Sequence, residues 1–198
     1  MADKTTVANL ALQKLGDDDQ LTNVDTDPGH AARTIRVAFD FARRSTLRRG
    51  KFNFSLRRAE LAAQAASDPS YQSPFPYSSR FPLPAGCLRI VEVLDGNGCQ
   101  VTDRKSEGGA ILANSAGPIF LQFVVDVSEP ALWDDMFVGA FAAFLAFQVC
   151  ERITGDRGKK SDCFADFRKA IKDAAGVDAK EDPPTESDES DWVTARLG

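Results

Sequence analysis

The chain has 198 residues, 43% of them hydrophobic and 27% charged, with a formal net charge of −5. That length suits one domain with a small insertion and buries a full core without covalent staples. A net-acidic chain is not a generic polyanion binder, which weighs against indiscriminate nucleic-acid association.

Met1-Ala2-Asp3-Lys4 leads into an amphipathic rather than an apolar segment, so no targeting leader is expected. Residues 4–15 carry Val7, Leu10, Ala11 and Leu15 at helical spacing, with Gly16 as the stop. Asp17-Asp18-Asp19 reads as a solvated loop, lacking the glycine and distal glutamate of a calcium loop. Asp27-Pro28 signals a new helix, Asp27 as N-cap and Pro28 at its first position. The helix from 28 to about 49 puts Ala31, Ile35, Ala38, Phe39 and Ala42 on one face, with Arg33, Arg36, Arg43 and Arg44 off it. His30, the single histidine, falls in its first turn and reads as an exposed polar residue.

Leu47–Leu61, LRRGKFNFSLRRAEL, interleaves cations with aromatics, the pattern of a nucleic-acid strip. In Phe52–Leu56 the period drops to two, so Phe52, Phe54 and Leu56 are expected to point inward. Ser55 then caps a short helix through Arg57, Arg58, Glu60 and Leu61. The phenylalanines thus anchor a turn, and the arginines remain for a charged interface.

From Ser67 to Pro84 prolines, serines and tyrosines mark an extended connector. Leu88–Leu94 alternates, Asp95-Gly96-Asn97-Gly98 is a hairpin turn, and strands are expected at 99–102, 110–113 and 119–125. Glu129-Pro130 opens a helix over about 131–153 that is apolar nearly all round, including Trp133, Phe137, Phe141, Phe144 and Phe147. Its run Met136–Phe147 is too short to span a bilayer, so no membrane is expected. A second helix over about 159–175 presents Phe164, Phe167 and Ile171, and Gly176 ends it. Beyond Val177 an acidic stretch with Pro183-Pro184 reads as disordered in the free monomer and closes on Trp192 and Arg196, residue types that anchor interfaces.

The expected fold class is therefore mainly α: an antiparallel helical bundle with a small antiparallel β-sheet insertion and an extended C-terminal arm. Residues 1–66 supply the N-terminal helices, 67–128 the connector and β insertion, 129–177 the closing helical hairpin, and 178–198 the arm. Cys87, Cys99, Cys150 and Cys163 form no Cys-x-x-Cys pair and read as reduced cytosolic thiols, Cys150 and Cys163 on neighbouring helices. No P-loop, dinucleotide fingerprint, nucleophile elbow or zinc-protease helix is present. Asp134-Asp135 are helix neighbours that point apart, and the macrodipole accounts for them. No enzyme activity, catalytic residue, metal or cofactor is expected.

Ala8–Gly16 (ANLALQKLG) resembles the opening of phage tail tubular protein A and related head-to-tail adaptor proteins. The likeness continues through Ala31-Ala32-Arg33 to Arg44, Leu47 and Arg48, then Phe52-Asn53-Phe54, Arg58 and Leu61. Tyr77, Phe81, Leu83-Pro84 and Cys87-Leu88-Arg89-Ile90 resemble the family's lead into its sheet, and Trp192 with Ala195-Arg196 its terminal tail. The resemblance implies a structural virion protein: a dodecameric homo-oligomeric ring beneath the portal of a tailed phage or gene transfer agent, monomeric before assembly and made in the bacterial host cytoplasm. Such a ring extends the DNA channel and seats a distal tail or stopper protein, with genomic DNA passing through the lumen without specific binding. It further implies a portal-binding arm at Trp192, Ala195 and Arg196, and Val193 between them is expected in the same arm. Arg43, Arg44, Arg48 and Arg49 are expected at a subunit interface. The alternatives are a DNA-binding packaging accessory protein using the arginine-rich helix 33–58, or a neighbouring head-completion stopper.

Overall fold

The computed structural model describes residues 3–17 and 20–181. The elements run α1 (Lys4–Lys14), α2 (His30–Arg49), β1 (Leu56–Leu61), β2 (Ser79–Pro82), β3 (Cys87–Leu94), β4 (Arg104–Glu107), β5 (Ala110–Ala113), β6 (Ile119–Val125), α3 (Asp135–Thr154) and α4 (Arg157–Glu181). The expected mainly-α class is corrected by this inventory. Among the described residues, four helices and two three-stranded antiparallel sheets, 44% helix and 20% strand, make a mixed α/β fold.

The difference arises in three places. Leu56–Leu61 (LRRAEL) is rich in helix formers, yet it is a strand paired residue by residue with β6, from Leu56 opposite Val124 to Leu61 opposite Ile119. Long-range pairing outweighs local propensity there. The proline-rich connector contributes β2, which pairs with β5. The expected strand over 99–102 is only a single bridge, Leu94 to Gln100, and a strand not expected, β4, pairs with the other edge of β5.

One sheet has the order β1-β6-β3 and the other β2-β5-β4. Period-two alternation in β6 sends Ile119, Leu121 and Phe123 to one face, where they meet Leu61 and Val93 of their own sheet and Phe81, Ile111 and Ala113 of the other. Near its end Val124 joins the helical core instead. Leu56 of β1 and Leu88 and Val91 of β3 likewise pack on the helical core, so the β1-β6-β3 sheet lies between the two cores and serves both.

The helical core is organised around α3. By length and apolarity α3 would suffice to cross a membrane, with a mean hydropathy of 1.5. Here that composition serves contact with α1, α2 and α4. Phe39, Phe52, Phe54, Trp133, Phe137 and Phe141 form one aromatic cluster, with T-shaped contacts such as Phe39–Phe141 at 4.9 Å and Phe52–Phe137 at 5.2 Å. Trp133 precedes α3 rather than lying within it, and its indole donates to the Val127 carbonyl at 2.9 Å. Gly155 ends α3 in the left-handed region at φ 69°, which glycine adopts without penalty. Gly176 does not end α4, which runs on to Glu181.

α1 starts on Asp3, whose carboxylate accepts from the Thr6 amide at 2.6 Å. That bond holds the Asp3 carboxyl below its ordinary value. A depressed carboxyl contributes its stabilisation above the unfolded-state value and loses it as pH falls through the folded one. Asp3→Ala is therefore expected to cost about 1 kcal/mol at pH 7. The gap to wild type should close as the solution is acidified, read from denaturation midpoints at several pH values. A gap that stays constant with pH would rule out the cap as its source.

Candidate interaction surfaces

The cation–aromatic strip at 47–61 is consumed by the fold. Phe52 is buried and Phe54 half-buried, and both rings stand T-shaped against Phe137 at 5.2 Å. Arg48 donates to the Leu88 carbonyl at 2.6 Å, and Arg89 returns the contact to the Gly50 carbonyl at 2.7 Å. These two cations clasp the end of α2 to β3, where helix carbonyls are left unpaired. Burial and the neighbouring Arg48 charge lower the Arg89 guanidinium from its ordinary value. Arg49 lies over the Phe144 ring at 4.9 Å and the Phe167 ring at 5.6 Å. Arg57 donates to the Phe54 and Leu56 carbonyls.

Arg43 is buried, not off the packed face as the helical pattern implied. Its Nε and Nη2 donate to the two carboxylate oxygens of Asp126 at 3.1 Å each, and Nη1 donates to Asp40 at 2.6 Å. The bidentate pair ties α2 to the residue that follows β6. Of the four arginines expected at a subunit interface, Arg43, Arg48 and Arg49 thus work within the chain. All three of Arg44, Arg48 and Arg49 are exposed without a carboxylate partner among the described residues, but Arg44 reaches no other element, its Nε donating to the Asp40 carbonyl of its own helix at 3.4 Å.

A surface that the charge pattern does not announce lies on the outer side of α2. Val37 is 86% exposed and Phe41 55% exposed, one helical turn apart. Val37 leads into a groove between α2 and α3, lined also by His30, Arg33, Gln148 and Arg152 and enclosing about 410 Å³. Arg33 and Arg152 are exposed and have no carboxylate partner among the described residues. His30 sits at its mouth, 3.3 Å from the Arg152 carbonyl. The signal was in the sequence: two large apolar residues four apart on the polar side of an amphipathic helix.

A second concavity of about 280 Å³ lies on the face of the β1-β6-β3 sheet turned away from the other sheet, with Phe120 and Leu94 among its walls and Arg58, Glu60 and Glu92 around them. Phe75, 85% exposed, projects from the connector between β1 and β2.

The other expected residues are placed as follows. Asp134 caps α3, accepting from the Met136 amide at 2.8 Å, and Asp135 begins the first turn. All four cysteines are free. Cys150 on α3 and Cys163 on α4 are buried, and burial, with Cys150 nearby, pushes the Cys163 thiol up. Among the described residues no three His, Cys, Asp or Glu side chains gather as a metal-holding group. The arm residues Trp192, Val193, Ala195 and Arg196 lie outside the described residues. No protein-family model matches the chain, and no curated protein matches it.

Proposed function

We propose that this protein is a structural assembly subunit: a head-to-tail adaptor that forms a ring under the portal of a tailed phage or phage-like particle, extends the DNA channel and seats the next tail component. The observation that carries the reading is the outer face of α2. It presents Val37 and Phe41, flanked by Arg33, Arg44 and Arg152, on a molecule whose two cores are already complete without it. A large apolar pair framed by unpaired cations is the composition of an interface between protein surfaces. Repeated between identical copies as a head-to-tail contact, such a surface closes a ring. The resemblance of the chain to tail tubular protein A-like adaptors supplies the portal as the template and the Trp192–Arg196 arm as its anchor. In this reading the subunit contact belongs to Arg44 with Arg33 and Arg152; Arg43, Arg48 and Arg49 hold the subunit together.

Native mass spectrometry of the purified chain, alone and mixed with its portal ring, tests this. The expected result is a monomer alone and a closed ring of copies on the portal. Because α4 runs to Glu181, the deletion that isolates the arm is 182–198. It is expected to abolish portal loading while leaving a folded chain with an unchanged circular dichroism spectrum. A monomer that ignores the portal but retards duplex DNA would overturn the adaptor and favour a packaging accessory protein.

A further inference from the structure

The groove between α2 and α3 has a chemistry that one part of this same chain matches. It is apolar at Val37, and Phe41 continues that surface one helical turn on. Arg33 and Arg152 at its rim, and Arg44 beyond Phe41, have no carboxylate partners among the described residues. The segment 182–198 carries Asp182, Glu186, Asp188, Glu189 and Asp191, no lysine or arginine before Arg196, and its one aromatic side chain, Trp192, directly after the last of these acids, with Val193 and Leu197 following. Five carboxylates leading to a tryptophan are the complement of three cations around a valine and a phenylalanine.

The reach is sufficient. Phe144 meets Phe167 at 4.7 Å and Phe147 meets Phe164 at 5.0 Å, so α3 and α4 are antiparallel and Glu181 lies beyond the first turn of α3. Phe39 meets Phe141, and His30 meets Arg152, so α2 is also antiparallel to α3. Val37 and Phe41 therefore stand roughly 15–20 Å from Glu181 along the helix axes, at 1.5 Å per residue. Trp192 follows Glu181 by 11 residues, a length that spans up to about 35–40 Å when extended. The surplus is enough to cross from α4 to the outer side of α2.

We propose that in the free protein residues 182–198 dock in cis on this groove, with Trp192 over Val37 and Phe41 and the acidic run against Arg33, Arg44 and Arg152. The docking is a property of the isolated chain. Its use as a restraint rests on the adaptor reading: the segment covers the face through which copies join until a portal draws it away, so rings form only where a portal is present.

The chain has two tryptophans, which makes the test direct. Proton–nitrogen correlation spectra of the full chain show two indole resonances, that of Trp133 serving as a fold control through its bond to Val127. The synthetic peptide 182–198 gives the undocked position of Trp192. Expected is a Trp192 resonance displaced from the peptide position at low salt and unchanged on dilution. It should return to the peptide position in the full-length double variant Val37→Asp/Phe41→Asp, with Trp133 unmoved. In 1 M salt, where charges are screened beyond about 3 Å, it should shift toward the peptide position. A Trp192 resonance at the peptide position in the wild-type chain would overturn the docking. One displaced in the double variant as in wild type would place the segment elsewhere and overturn it too. A displacement lost on dilution, with a dimer or larger species in sedimentation, would assign the groove to a second copy's segment instead. None of these readings involves the portal, so they stand or fall apart from ring loading.

Discussion

Phe141→Ala is expected to cost about 3–5 kcal/mol, the upper range for truncating one buried side chain. Phe141 is fully buried at the middle of α3. Its ring contacts Phe39 at 4.9 Å, Phe137 at 5.5 Å and Trp133 at 5.6 Å, the last nearly perpendicular. Truncation removes the buried ring area and leaves a cavity whose other walls are rigid aromatics with little freedom to collapse inward. Domains are stable by only about 5–15 kcal/mol, so the variant should melt far below wild type or populate the unfolded state at 37 °C. Phe75→Ala deletes the same atoms from an exposed site and should shift stability by no more than about 0.5 kcal/mol. Urea denaturation of the two variants side by side decides it. Equal losses would mean that the cluster around Phe141 is not the organising core.

Asp126→Ala is the second large effect, expected at about 2 kcal/mol or more. It strands the Arg43 guanidinium, whose side chain is only 9% exposed, with Asp40 as its remaining partner. Removing one member of a buried pair costs more than the pair contributes, because the surviving charge has already left water. Asp126 is itself 23% exposed, and Asp40 is still in place, which keeps the loss below that of a fully buried pair. Combining it with Arg43→Met removes the stranded charge. The double variant should then recover part of the single loss, a coupling of about 1–3 kcal/mol. Simple additivity of the two substitutions would show that the pair does not bridge α2 and the end of β6 in solution.

How much of the fold was legible in the sequence varied with the range of the interactions. α1, α2 and α3 announce themselves by apolar residues at helical spacing, although α2 starts at His30 behind Gly29 with no side-chain cap rather than on Asp27 and Pro28, and β5 and β6 by short apolar runs bounded by turn residues. β1 does not, because Leu-Arg-Arg-Ala-Glu-Leu has no strand preference of its own and becomes a strand only when β6 lies beside it. β2 hides in a stretch whose prolines read as connector, and β4, Arg-Lys-Ser-Glu, has no apolar face to detect. The arginines were opaque for the same reason. Arg43 and Asp126 are 83 positions apart, so nothing local tells a solvated cation from a buried one. Arg48 and Arg89 find backbone carbonyls, which no residue pattern encodes. Val37 and Phe41, by contrast, are readable as an apolar pair on the polar side of α2. The arginines that surround them in sequence mask the pair, because charge dominates the composition of that helix.

The way the strands enter and leave has a consequence for how this architecture can vary. The chain departs from the helices along β1 and returns along β6, and those two strands are hydrogen-bonded neighbours in register from end to end. The excursion between them closes on itself at its base. Of the buried residues of the β2-β5-β4 sheet, Phe81, Ile111 and Ala113 belong to the intersheet core, and none belongs to the helical one. Lengthening the hairpin between β4 and β5, or exchanging its tip for an unrelated sequence, leaves the spacing at Leu56 and Val124 untouched. That outer sheet is therefore an interchangeable part. It can drift in size and sequence to suit whatever it faces, while the helices keep their geometry.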